Sequence, residues 1–481
     1  MINRIKQLET LALPLEPDAQ GRARLLESIL AYGDAFLEAL PDLPAYEAND
    51  AGGRALYDAP ISDEGADLQT LLDLLKQHVD RAGLNSASAG HLGFIPGGGL
   101  YHAALGDYLA AVTNRYAGVF FASPGAVRME NMLLRWMGGI VGYPDTLAGN
   151  LTSGGSLANL IGIVTARDAH GLQAEAIRQA VVYMTAHVHH SVDKALRIAG
   201  LRGCVKRIIR VDNHYRMNAN ALAEAIAQDK QAGWQPWLVV ASAGTTNTGS
   251  VDPLLDIGQI SQAEGLWLHV DGAYGAFFAL TEMGRAVLKG LELSDSIVMD
   301  PHKTLFLPWG SGAVLVKDRQ KLLEAHHYGA DYMQDTLALA EELSPADCSP
   351  ELTKPFRGLR LWLPLKLLGV APFRAALEEK LLLARIFYDR IQAIDGFEVG
   401  PYPDLSVVTY RYVPRRGDAD AFNRQIIKHI HQEGRVFLTS TMVDDKFVLR
   451  LAVGSFRTHL DTIELALDRL AQAVKVLGES G

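Results

Sequence analysis

The spacing of hydrophobic residues changes three times along the chain, and each change marks a different kind of structure. Over Gly21–Leu40 they recur at helical intervals (Leu26, Ile29, Leu30, Phe36, Leu37, Leu40), and Leu68–Ala82 repeats the pattern. Between them Pro41–Ala66, rich in Pro, Asp and Gly, reads as an irregular connector. These helices come with no sheet of their own, so residues 1–90 are expected to pack on another body such as a second subunit. Two further helices are predicted at Tyr101–Ala111 and Pro124–Val141, and an apolar helix at Leu160–His170. Short apolar runs then alternate with helices. Strands are predicted at Val181–Thr185, Arg207–Val211, Trp237–Ser242, Leu266–Val270, Ser296–Met299 and Gly312–Val316. Helices at Ala219–Gln231, Leu255–Glu264 and Asp318–Ala325 fill the gaps, which is the signature of a buried parallel sheet in an α/β body. From Phe356 a long helical stretch runs to about Ile394, with Pro364 and Pro372 expected to interrupt or kink it. Strands at Phe397–Gly400, Ser406–Val413, Val436–Leu438 and Phe447–Val453, with helices at Ala419–Gln432 and His459–Leu477, complete a small α+β domain. The reading is therefore a helical segment over 1–90, a large α/β domain over 91–355 and a small domain over 356–481.

Composition narrows the class. At 481 residues the chain is too long for one compact core. Its 48% hydrophobic and 21% charged residues give an ordinary globular balance. A formal charge of −10 argues against nucleic acid or an anionic membrane as the main partner. Cys204 and Cys348 supply neither a disulfide framework nor zinc spacing. The stretch Met1–Pro14 lacks the cationic start and apolar run of a signal peptide, and no run is long enough to span a membrane. A cytoplasmic protein is expected.

The candidate chemistry sits where predicted strands end. In Ser296–Thr304 a buried strand is broken by Asp300-Pro301, and His302 and Lys303 follow at once. A lysine held at a strand end can be desolvated into a neutral amine able to form Schiff bases, including with pyridoxal phosphate. A lysine taken at random after a strand is far more often a surface residue, and the rest of the chain is what changes those odds. Asp271 follows the apolar strand Leu266–Val270, where an acid needs a partner or caps the next helix; a protonated pyridine nitrogen is such a partner. The small residues of Thr152–Ser156 at a helix start expose N–H groups to a phosphate, or simply cap the helix. His91–Gly99 is a glycine-rich loop that lets backbone approach a ligand, or is a flexible connector. Gly244–Gly249 is a turn carrying several hydroxyls. The histidines at 187, 189 and 190 lack the i, i+4 pair and added acid of a helical metal site, so no metal is expected; a histidine stacked on an aromatic cofactor fits better.

Four motifs occur in one order: His-x-Ser-Val-x-Lys-Ala from His189, the Gly-Thr-Thr turn at Gly244, His-Val-Asp-x-Ala at His269 and Ser-Ile-x5-Lys at Ser296. From about His91 to the C-terminus the chain resembles the group II pyridoxal-phosphate-dependent amino acid decarboxylases, the family of aromatic-L-amino-acid, histidine and glutamate decarboxylases. The resemblance implies a fold-type I (aspartate aminotransferase-like) large domain with a mostly parallel seven-stranded sheet, a swapped N-terminal segment and a homodimer. It implies pyridoxal 5′-phosphate as cofactor, with Lys303 as the lysine of the internal aldimine and Asp271 on the pyridine nitrogen. It also implies Ala273 against the ring, His189 stacked on it and orienting the substrate carboxylate, and Gly154, Gly155 and Ser156 around the phosphate. Thr246 and His302 lie beside the cofactor in this reading, and Phe94, Ile95 and Pro96 line the substrate side chain's pocket. The expected reaction is decarboxylation of an L-amino acid with an aromatic or apolar side chain to the amine and CO2. The alternatives are an aldehyde-forming variant, a carbon–carbon lyase or an aminotransferase of the same fold.

Two departures stand out. The aromatic branch of the family carries a proton-donating tyrosine in a loop before the small domain, and the corresponding Ala338–Pro355 contains none; Tyr328 and Tyr332 lie earlier. Thr304 follows the lysine where a bulky apolar residue or glycine is commoner.

Overall fold

The structure, a computed structural model, describes residues 1–49, 52–327 and 342–479. Its centre is a seven-stranded sheet made of β1 (Ala148–Thr152), β2 (Ala180–Met184), β3 (Val205–Ile208), β4 (Gln235–Ser242), β5 (Trp267–Asp271), β6 (Ser296–Met299) and β7 (Gly312–Val316). The order across the sheet is β1-β7-β6-β5-β4-β2-β3. β7 runs antiparallel to both its neighbours, and the remaining pairings are parallel.

Five strands sit where the apolar runs place them, and the periodicity explains why those runs are continuous. Ile297 and Met299 of β6 face one core, whereas Val298 faces the other. Leu268 and Val270 of β5 likewise join the first core and Trp267 the second. Both faces are covered: the helices Pro124–Val141, Ala219–Gln231 and Leu254–Glu264 pack on one, Gly155–Ala169 and His190–Ile198 on the other. A strand buried on both sides has no position left for a polar alternation.

Some elements differ from the expectation. β1 lies where no strand is predicted: Ala-Gly-Asn-Leu-Thr has little strand propensity, and pairing with β7 over five residues overrides it. β3 lies at 205–208 instead of 207–211. The helix Leu68–His78 is shorter than its pattern, and Gly155–Ala169 starts five residues earlier than the apolar run. The long helical stretch is two helices, Gly358–Leu368 and Ala371–Ile391. The break falls at Gly369, which adopts φ +72, whereas Pro364 stays inside the first helix and Pro372 lies in the first turn of the second, where its missing N–H leaves no gap in the helix's bonding.

The small body holds β8 (Phe397–Val399), β9 (Val407–Tyr412), β10 (Thr439–Val443) and β11 (Lys446–Ala452) in the antiparallel order β8-β9-β11-β10. The strand expected at Val436–Leu438 forms at Thr439–Val443 instead, and Phe437 makes a single parallel bridge to His91. At the N-terminus, the helices Ile2–Ala12 and Ala19–Ala39 bury none of their residues. The first was not visible in the pattern. The segment also has a minimal ribbon, Tyr46–Glu47 paired with Gly83–Leu84. Among the described residues no helix is long and apolar enough to cross a membrane.

Candidate active site

Five segments converge on one cavity of about 350 Å³, and four of them leave the carboxyl ends of parallel strands. That is where open α/β sheets bind ligands, because the connections there diverge and leave a crevice. β6 ends at Met299, and a single helical turn, Pro301–Thr304, brings Lys303 back over the sheet. The Lys303 ammonium lies 3.0 Å from Asp300 Oδ2, and Asp300 is buried with its Oδ1 left without a hydrogen bond. Thr304 is unusual for a reason the structure supplies: it is buried, and its hydroxyl donates to the Tyr274 carbonyl at 3.1 Å.

β5 ends at Asp271, whose Oδ1 accepts from the Ala273 N–H (3.2 Å) and whose Oδ2 accepts from Asn159 Nδ2 (3.1 Å). Ala273 and Tyr274 continue the same wall. After β2 the chain turns through His189, which caps the helix His190–Ile198: its Nδ1 accepts from the Ser191 N–H at 3.2 Å. Burial, partly offset by Asp271, lowers the His189 pKa and keeps the ring neutral. His190 packs on it with ring centroids 4.1 Å apart, and His187 faces Tyr215 instead. His302 is also held neutral, chiefly by burial, and its Nδ1 lies 2.5 Å from the Ser311 carbonyl.

β1 ends in the turn Thr152-Ser153-Gly154 and leads into the helix Gly155–Ala169, whose first N–H groups have no partner within the helix. The turn needs glycine for space. A Cβ on Gly155 would come within 2.9 Å of Asp300 Oδ2 and 3.2 Å of the Ala273 Cβ. β4 leads into the Gly244–Thr246 turn, which closes the cavity.

The structure thus brings Gly154, Gly155, Ser156, His189, Thr246, Asp271, Ala273, His302 and Lys303 around one cavity. It does not bring Phe94, Ile95 and Pro96 into that lining. Ile95 and Pro96 are buried in the body, whereas the Phe94 side chain is exposed on a backbone of φ +51. Phe94 is nevertheless tied to the site through Arg450 of β11. The buried Arg450 guanidinium donates to the carbonyls of Phe94 (2.8 Å), Thr246 (2.6 Å) and Asn247 (3.3 Å), and to Thr439 Oγ1 (2.8 Å). Desolvation draws its pKa down to about 10, so it stays charged at neutral pH. The small body is fixed here a second time by Tyr274, whose hydroxyl bonds the Ser406 hydroxyl and accepts from the Ser406 N–H.

Sequence reasoning missed Asn159, Ser191, Asp300, Tyr274 and Arg450. Asp300 stood in the lysine motif but was read as a strand breaker. Nothing along the chain marks Arg450, whose importance comes from the loops it joins. Of the Ala338–Pro355 loop, residues 342–355 are described, and none of them lines the cavity. They fold onto the large body, with Ala346 N–H donating to the Gly118 carbonyl and Asn150 Nδ2 to that of Pro345. Tyr328 and Tyr332 lie outside the described residues.

A pyridoxal phosphate would meet fitting groups here: a lysine amine, a buried carboxylate with acceptor capacity to spare, a neutral imidazole, and a glycine turn on a helix N-terminus that leaves room for a phosphate.

Comparison with known proteins gives the same chemistry independently. The model of the pyridoxal-dependent decarboxylase conserved domain matches residues 53–413. An aromatic-L-amino-acid decarboxylase of Bacillus atrophaeus is 34% identical, over 86% of this chain and 88% of its own. A phenylacetaldehyde synthase of Arabidopsis thaliana is 27% identical, over 73% of this chain and 74% of its own. Among solved structures, that of Oryza sativa TDC with PLP and tryptamine superposes with a TM-score of 0.91 at 25% identity, covering 96% of this chain and 99% of that one.

Proposed function

This chain belongs to the pyridoxal-dependent decarboxylase family, and from that premise we propose that it converts an L-aromatic amino acid to the corresponding amine and CO2. It is a carboxy-lyase that uses pyridoxal 5′-phosphate. When bound, that cofactor supplies an aldehyde carbon and an electron-withdrawing pyridinium ring. The observation that carries the reading is the meeting of Lys303, Asp271 and His189 in one cavity beside a glycine turn.

Each residue has a role that its surroundings support. Lys303 is the amine that would hold the cofactor's aldehyde carbon, with Asp300 as the counter-ion of its ammonium. Asp271 would hold the ring nitrogen in its protonated form. His189 would stack on the ring and orient the substrate carboxylate. The N–H groups at Gly155 and Ser156, in the turn opened by Gly154, hold the phosphate, while Thr246, Ala273 and His302 line the ring. Of the Phe94–Pro96 segment, the exposed Phe94 ring is the part available to the substrate side chain, and Arg450 ties the Phe94 carbonyl to the Thr246 turn. An aromatic substrate suits this end: Phe94 offers an exposed ring, and no Lys or Arg in the Phe94–Gly99 segment is there to bind a distal carboxylate. Removal of water around the α-carboxylate weakens its solvation and favours its loss.

The test is product analysis with purified protein, added cofactor and a panel of L-amino acids. Amine formed in equal amount to CO2 from an aromatic substrate is the expected result. A keto acid without CO2 would overturn the reading. The second reading, aldehyde formation with ammonia release and oxygen uptake, is favoured by one observation: the described part of the Ala338–Pro355 segment carries no tyrosine and packs away from the cavity.

We also infer a homodimer. Ile2, Ile5, Leu8, Leu11 and Leu13, with Leu25, Leu26, Ile29 and Leu30, leave an apolar surface exposed on the N-terminal helices, and a second copy of the chain is the partner that covers it. A cytoplasmic location suits Cys204 and Cys348, both buried free thiols. Deletion of residues 1–39 should give a monomer in sedimentation; a dimer that survives the deletion would refute this assignment.

A further inference from the structure

Behind the carboxylate of Asp271 lies a chain of buried polar groups that the reaction itself does not touch. Trp267 Nε1 donates to Ser296 Oγ at 2.8 Å, and Ser296 Oγ lies 2.7 Å from His269 Nδ1. His269 Nε2 is 2.8 Å from Asn159 Oδ1. Asn159 Nδ2 reaches both Asp271 Oδ2 (3.1 Å) and Ser191 Oγ (2.9 Å), and Ser191 Oγ is 2.7 Å from His189 Nδ1. Asn159, Ser191, His269 and Ser296 are almost completely excluded from solvent.

The donor inventory leaves one assignment of protons. A carboxylate only accepts, so the amide nitrogen of Asn159, and not its oxygen, must face Asp271. Asn159 Oδ1 then faces His269 and can only accept, so His269 carries its proton on Nε2. Burial holds the His269 pKa at about 4, which leaves the ring neutral and Nδ1 an acceptor for the Ser296 hydroxyl. Ser296 Oγ in turn accepts from the indole, which can only donate. On the other branch, Ser191 Oγ accepts from Asn159 and donates to His189 Nδ1, where the Ser191 N–H also points. His189 Nδ1 is therefore an acceptor, and the proton of His189 sits on Nε2.

We propose that Asn159 is the positioning residue of the site: oriented by His269, its one amide group holds the Asp271 carboxylate and fixes the Nε2–H tautomer of His189. One side chain thereby couples the group assigned to the pyridine nitrogen to the group assigned to the substrate carboxylate. Hydrogen bonds aligned in one direction polarise one another, so the orientation set at Ser296 and His269 reaches both ends. The proposal rests on the decarboxylase reading for what Asp271 and His189 do, but the proton positions stand on this chain alone.

The experiment separates the two. Tautomers are read by nitrogen-15 NMR of histidine-labelled protein without cofactor, and affinity by equilibrium dialysis of pyridoxal phosphate. In the wild type, His189 should give the Nε2–H signature. Asn159→Leu should weaken that preference, leaving the Ser191 N–H as the remaining fixed donor to Nδ1, and weaken cofactor binding about tenfold, the equivalent of one hydrogen bond to a charged group. Ser191→Ala should disturb the His189 tautomer and leave cofactor affinity within about twofold. His269→Leu should reproduce the Asn159→Leu losses, and His269→Gln, which still donates to Asn159 Oδ1, should restore both. This second pair decides the matter if Asn159→Leu does not fold. An Nδ1–H His189 in the wild type, or an unchanged tautomer and affinity in folded Asn159→Leu and His269→Leu, would overturn the proposal. A wild type that binds no pyridoxal phosphate would overturn the functional reading, while the tautomers would still decide the proposal.

Discussion

Replacing Lys354 by methionine tests how the phosphate-binding turn is held from below. The Lys354 ammonium is fully enclosed: it donates to Asn150 Oδ1 at 2.9 Å and to the Leu151 carbonyl at 3.1 Å, and it forms an ion pair with Glu130 Oε2 at 3.1 Å. Asn150 and Leu151 belong to β1, which runs directly into Thr152-Ser153-Gly154. Methionine fills much the same volume, so the loss is electrostatic and leaves no large void. Removing one partner of a buried pair strands the other charge, at a cost of about 3–5 kcal/mol. Glu130 retains a single compensating bond, from the Gly358 N–H at 3.0 Å. For the large body about 4 kcal/mol lowers the thermal midpoint by roughly 7 °C. The double variant Lys354→Met with Glu130→Gln should recover more than half of that loss, because no bare charge remains and the amide oxygen still accepts from Gly358. Differential scanning calorimetry of the single and double variants gives the answer. A single variant within about 1 kcal/mol of wild type, or a double variant as damaged as the sum of its parts, would refute the reasoning.

Three further predictions follow from the same geometry. Lys303→Ala should remove the visible absorbance of lysine-bound cofactor and all turnover while leaving the circular dichroism spectrum unchanged; a variant that keeps both activities would sink the assignment of Lys303. Arg450→Met should lower kcat/KM about 10- to 100-fold with only a modest loss of stability, roughly 1–3 kcal/mol, measured by denaturant titration. The loss is modest because the four hydrogen bonds forgone are partly offset by about 3 kcal/mol of charge desolvation, the counterpart of the pKa drop to about 10. His91 is buried neutral, with a pKa lowered to about 4 chiefly by burial. Its folded pKa lies below the unfolded value of 6.5, so the unfolded state binds the proton first and stability falls as pH drops below about 6.5. The loss at pH 5 is about 2 kcal/mol, and His91→Phe should flatten that part of the stability profile; an unchanged slope would show that His91 is not its source.

Ser296–Met299 and Gly312–Val316 could be read to the residue because each is a short apolar run with both faces buried. β1 could not: its sequence carries no strand signal, and it exists because β7 passes beside it. The helix break at Gly369 was misplaced for a similar reason, since a proline can sit within a helix once tertiary packing holds that helix in place. In the site, the residues with distinctive chemistry were legible because four motifs occur in order. Asn159, Ser191 and Arg450 were not, because an asparagine in a helix or an arginine in a strand acquires meaning only from what lies across the fold. The segment Phe94–Pro96 was placed at the substrate end by resemblance, and within one chain only the exposed Phe94 ring is available for that role.

The sheet order has a consequence for how this protein is made. β1 ends in the turn assigned to the phosphate, yet among the described residues its only neighbour in the sheet is β7, the last strand of that sheet to be synthesised. Until residues 312–316 have left the ribosome, β1 has nothing to pair with, and the sheet can assemble only from β2 to β6. Long-range pairing of this kind is slow because the intervening chain must be ordered before the contact rewards it. The two halves of the cavity, the glycine turn and Lys303, are therefore joined in one late step. A nascent chain released before β7 should fail to retain the cofactor, and pyridoxal phosphate added during refolding should accelerate only the final phase, by trapping a site that the rest of the sheet has already prepared.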